Sequence, residues 1–141
     1  MPSQSKQAII ISQASTTNGA TATGYVDTLG YDYLTVDVIT STSNAASNNP
    51  SVLKLGEGDT TASFSDVSGT VGDTDWTIPD SVTSGNWGVR FNVDLRGRKR
   101  YVNVSLSPTT TQVVTALGTL HRGDESPSSA TEAGVKARVE V

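Results

Sequence analysis

The sequence predicts an all-β fold: a two-sheet antiparallel sandwich, jelly-roll-like, with an extended N-terminal arm. Three observations predict it. Ser and Thr make up more than a quarter of the 141 residues, Gly is abundant, and Leu, Glu and Lys are scarce, so helix formers are few and strand-tolerant residues many. Several segments alternate apolar and polar side chains with period 2. Turn-forming stretches recur roughly every 8–12 residues, the spacing of a sandwich or barrel. Together these give about eight to ten short strands around one core. The chain divides into an N-terminal arm or edge strand, residues 1–12, and one sandwich domain, residues 13–141.

The elements follow in order. Residues 1–7 are polar and read as an arm, and "AIIIS" at 8–12 as a short strand. Ile9, Ile10 and Ile11 cannot all face one small core. Either the strand is an edge buried on both faces, or an isoleucine packs on a partner by β-addition. The small polar stretch 13–23 reads as a loop or extended linker. In 33–39, Tyr33, Thr35, Asp37 and Ile39 point one way and Leu34, Val36 and Val38 the other, the pattern of a half-buried strand. Residues 41–50 lack periodicity and read as a loop ending in Pro50. Residues 51–69 read as strand, Gly-containing turn, strand, with Val52 and Lys54 on one face and Leu53 and Leu55 on the other. Residues 70–86 are turn-rich, with an extended piece at 76–78 that Pro79 stops. In "WGVRFNVDL" Trp87, Val89, Phe91, Val93 and Leu95 share one face, and in "RYVNVSLSP" Val102, Val104 and Leu106 do. The "RGRK" between them predicts a hairpin turning at Gly97. Residues 111–122 read as a strand, 123–134 as a polar loop, and 135–141 as a closing strand.

Composition narrows the function. There is no cysteine, so disulfides and thiolate metal sites are excluded. No segment approaches the ~20 apolar residues of a membrane-spanning helix, and no signal-type h-region is present. A soluble, unprocessed chain is expected, with no membrane association. The lone histidine, His121, lies in no nucleophile-elbow context, so no catalytic role is assigned to it and no enzyme activity is expected. "GEGD" (56–59) and "GDTD" (72–75) each carry two carboxylates. Neither follows the EF-hand pattern, and Asp is a common turn residue, so no metal or other cofactor is assigned. "RGD" at 122–124 is a tripeptide that chance supplies, and it carries no assignment. Trp76 and Trp87 are the only tryptophans, and Trp87 falls on an apolar face, so planar platforms for a sugar are few.

One stretch stands out. The chain has net charge −4, yet half of its ten Lys and Arg lie between Arg90 and Arg100, with Arg96, Arg98, Lys99 and Arg100 inside "LRGRKRY". Four cations at one turn repel one another modestly in water. The patch is narrow, the chain acidic and only Tyr101 is interleaved, so nucleic acid is not the expected partner. Two readings stay open: a solvated turn, or a docking contact for carboxylates of a partner, which the planar Arg fork suits. Asp94 and Asp66 are candidate partners within the chain.

"LGYDYLTVDV" (29–38), "LKLGEGDTTASFSDVSG" (53–69) and "VRFNVDLRGRKRYVNVSLSP" (89–108) resemble small β-rich virion proteins of tailed bacteriophages, the capsid decoration or cement proteins. The resemblance runs from about Ala8 to the end. It implies a non-catalytic protein on the outer surface of the capsid, often a trimer at capsomer junctions. Such a protein bridges subunits of the major capsid protein and stabilises the shell against packaged DNA. It implies a virion location and shell or sister-subunit contacts through Ile9, Ile10, Ile11, Arg96, Arg98, Lys99 and Arg100. A glycan- or host-surface-binding module and a tail-associated structural protein are the alternatives.

Overall fold

The structure is a computed structural model that describes residues 5–41, 49–79, 87–122 and 137–141. Among them lie nine strands and no helix: β1 (Ser5–Thr16), β2 (Ala22–Asp27), β3 (Tyr33–Thr40), β4 (Val52–Gly58), β5 (Ser65–Asp66), β6 (Trp87–Asp94), β7 (Tyr101–Ser107), β8 (Gln112–His121) and β9 (Ala137–Glu140). They form two sheets, ordered β1-β8-β3-β6-β9 and β2-β7-β4-β5. The pairs β1–β8, β2–β7, β3–β6 and β4–β5 are antiparallel and nest inside one another. Rolling up one long hairpin gives this order, and it is jelly-roll-like. β9 departs from the antiparallel expectation: it runs parallel to β6. It covers the free edge of β6, and the Val141 N–H donates to the Asn92 carbonyl at 3.0 Å.

The core lies between the sheets, where alternation predicted it. Leu34, Val36 and Val38 of β3, Leu53 and Leu55 of β4, Trp87, Val89, Phe91 and Val93 of β6, and Val102, Val104 and Leu106 of β7 are all buried. Both tryptophans are structural. Trp87 donates its indole N–H to the Pro79 carbonyl at 3.0 Å, and Trp76 donates to the Thr70 carbonyl at 2.7 Å. Trp76 also meets Phe91 edge-on, with ring centroids 5.6 Å apart.

Three segments differ from the sequence reading. The predicted hairpin at Gly97 is not one: β6 lies in the first sheet and β7 in the second, so 95–100 arches between sheets. Alternation reports which face of a strand is apolar, and an arch and a hairpin both turn two apolar faces to the same core. The turn itself is as expected. The Arg98 N–H donates to the Leu95 carbonyl at 3.0 Å, with Gly97 at φ 82°, where a type II turn requires positive φ. Second, 13–23 is not all loop, since β1 continues to Thr16 and β2 begins at Ala22. Third, 76–78 makes only an isolated bridge, Gly72 to Trp76. The loop readings for 42–48, 80–86 and 123–134 lie outside the described residues, as does the start of the closing strand, 135–136.

The isoleucine run is accommodated by a bulge. Ile9 pairs with Leu117 and Ile11 with the next residue, Ala116, so Ile10 is the extra residue. A second irregularity follows between Ile11 and Ala14, where Gln13 has φ 41°. The bulge lets two consecutive side chains point inward. Ile10 and Ile11 enter the core at 8% and 4% exposure, and Ile9 is left 68% exposed. The displaced Ile10 carbonyl oxygen points at Gly24 of β2, where an added Cβ would collide with it.

Candidate functional site

The basic stretch is largely neutralised within the chain. Asp94 precedes the 95–98 turn and accepts twice from the guanidinium of Arg96, at 3.0 and 2.8 Å. Asp27, at the end of β2, accepts twice from Arg100, also at 3.0 and 2.8 Å. These bonds, with a backbone N–H on each carboxylate, hold Asp27 and Asp94 at about 2, below the usual 3.8. Arg98 Nη1 stands 3.9 Å from Glu57 Oε2, and Arg90 forks onto Asp37 at 2.6 and 3.1 Å. Asp66 pairs with Lys54, at 2.9 Å, and not with the basic stretch. Lys99 is exposed and makes no ion pair among the described residues.

The carboxylate turns are accounted for in part. Asp75 accepts from the N–H groups of Gly69 and Val71, and Asp73 from that of Ile78, so "GDTD" holds its own turn. Among the described residues no three His, Asp or Glu side chains gather as a metal site. Arg122 donates to the Gly30 carbonyl at 2.8 Å and lies over the Tyr31 ring, 5.5 Å from its centroid.

Two surfaces remain. The first is the outer face of the five-stranded sheet. Ile9 and Leu117 sit opposite each other, Val113 lies further along β8, and Ile39 lies opposite Thr115. Their exposures are 68, 37, 40 and 41%, respectively for Ile9, Leu117, Val113 and Ile39. These residues make an apolar strip across three strands. The neighbouring Asp37–Arg90 pair is neutral as a unit.

The second surface is the outer face of the four-stranded sheet, and the sequence reading did not find it. Tyr25 of β2 is 50% exposed. It lies 6.0 Å from Tyr101 of β7, edge-on, and 6.3 Å from Phe64, measured between ring centroids. Arg100 stacks over Tyr101 at 5.0 Å. A cleft of about 240 Å³ opens beside Phe64, lined also by Glu57, Asp59, Ser63 and Lys99. Three aromatic residues from three separate segments meet only because β2 pairs with β7 and the β4–β5 connection folds back. No motif in the sequence marks this.

No family model and no curated protein matches the sequence. Among solved structures, the SPBc2 prophage-derived protein YomS is 17% identical, with a TM-score of 0.53 over 86% of this chain and 96% of that one. The two chains share the fold along nearly their whole lengths. A chain of the infectious bursal disease virus Gx strain is 9% identical, with a TM-score of 0.47 over 89% of this chain and a third (33%) of that one. A CBM4 chain is 9% identical, with a TM-score of 0.40 over 82% of this chain and 66% of that one.

Proposed function

We propose that this chain is a phage virion structural protein of the decoration type. It binds the outer surface of the head where subunits of the major capsid protein meet and stabilises the shell without catalysing a reaction. One observation carries this: the apolar strip of Ile9, Leu117, Val113 and Ile39 on a broad sheet face. Burial of each side chain would contribute about 1 kcal/mol, a fraction of the value for full burial because each is already partly covered. Several weak copies of that contact, made by one oligomer spanning adjacent capsid subunits, gain by avidity. A homotrimer is the assembly this reading assumes. Of the residues the resemblance implicates, Ile9 carries the contact, and Lys99 lies on the other sheet's side. Ile10 and Ile11 belong to the core, and Arg96 and Arg100 already have fully formed bidentate partners.

The test is sedimentation of purified protein with expanded phage heads that lack it, across a salt series. Saturable binding to a fixed number of sites per head is the expected result. Because the contact is mainly apolar, salt should weaken binding only modestly. Absence of binding to heads would move the assignment to tails or to ligands on the host surface.

A further inference from the structure

The cleft on the four-stranded sheet has the form of a binding site. Its floor is β4, where Gly56 and Gly58 occupy outward positions. A Cβ on Gly56 would run into the Asn103 side chain, and one on Gly58 into the Ser63 carbonyl. Glycine at both positions lets the 59–64 connection lie close along the strand, so that Phe64 packs over them. The Phe64 ring forms one wall, and Tyr25 continues it outward beyond the cleft. Glu57 borders the cleft, but its carboxylate turns to the other face of the strand, toward Arg98. The polar wall holds Asp59 as an acceptor, Lys99 as a donor that makes no ion pair among the described residues, and Ser63 as a hydroxyl that does either.

We propose that this cleft binds a neutral saccharide. An apolar ring face bounded by hydroxyls matches an aromatic wall facing mixed donors and acceptors. The charges at the cleft balance, Asp59 against Lys99, while Glu57 is offset by Arg98 behind it, which disfavours an acidic sugar. The volume of about 240 Å³ is below the ~300–1,000 Å³ of a drug-sized pocket. One sugar ring enters, and the next lies on Tyr25. The site faces away from the apolar strip, so it does not rest on head binding and could operate on a head-bound molecule.

An array of immobilised oligosaccharides, four to six neutral hexose or hexosamine units long, tests this, followed by calorimetric titration of the best probe. The wild-type protein should bind at least one probe. Tyr25→Ala and Lys99→Met should each weaken binding by about tenfold or more, and Tyr25→Phe by less than about threefold. Both positions are solvent-accessible, so the far-UV circular dichroism and the urea midpoint of the variants should stay close to those of the wild type. Failure of the wild type to bind any neutral probe would overturn the proposal. So would a preference for uronate-containing probes, or equal binding by Tyr25→Ala.

Discussion

Ile9 is the residue on which the proposed head contact turns most directly. It is solvent-exposed, unlike its two neighbours, so Ile9→Asp should leave thermal stability within about 0.5 kcal/mol, as surface substitutions do. The same change should reduce head occupancy in the sedimentation assay, and unchanged occupancy would remove the strip from the interface. Ile11→Ala should behave oppositely: it empties core volume and should cost about 2–5 kcal/mol in a urea unfolding curve. The carboxylates give a pH signature. Asp27 and Asp94 are held at about 2 in the folded chain, from 3.8. A depressed folded value means the stabilisation is complete above the unfolded value and is lost as pH falls toward the folded one. The urea midpoint should therefore fall between about pH 4 and pH 2, and an Asp27→Asn, Asp94→Asn double variant should show a shallower fall across that window.

At the scale of elements, strand faces were legible and strand partners were not. The alternation in Leu34, Val36 and Val38 and in Trp87 through Leu95 named the buried face correctly, because burial on one side of a pleated strand leaves a period-2 trace. Pairing leaves no such trace. Whether β6 met β7 in a hairpin or faced it across the core depended on the rest of the chain. The same limit hid the aromatic surface, since Tyr25, Phe64 and Tyr101 are unremarkable in their own segments. The basic stretch was visible as a cluster, but its partners Asp27 and Glu57 came from other strands. Turn chemistry was legible: Gly97 marked the 95–98 turn correctly although the turn joins two sheets. A Cβ at Gly97 meets nothing within 4 Å, so only backbone strain opposes Gly97→Ala, which should cost about 1–2 kcal/mol in the same unfolding assay.

Over the whole molecule, the proposed head contact and the proposed saccharide cleft fall on different outer faces. The apolar strip and the aromatic cleft lie on different sheets, so substitutions in one should be additive with substitutions in the other. A doubly substituted protein, Ile9→Asp with Tyr25→Ala, should lose head binding and saccharide binding independently. Coupling between the two losses would mean that one surface serves both. Lys99→Glu is the cleaner charge probe for the basic stretch, because reversing Arg98 would also disturb its approach to Glu57.

The nested pairing also sets an order of events. β1 has as its sheet partner β8, so Ser5 must find His121 and Thr16 must find Gln112. During synthesis the strand carrying three isoleucines emerges first and waits for nearly the whole chain before its ladder can close. Such distant pairings slow folding to roughly milliseconds to seconds, and stopped-flow refolding should find this chain in that range. The bulges that place Ile10 and Ile11 in the core also act at the sheet's outer edge, which β1 forms once the ladder has closed. They interrupt the regular hydrogen-bonding edge of that strand, so that two folded copies are poor templates for each other.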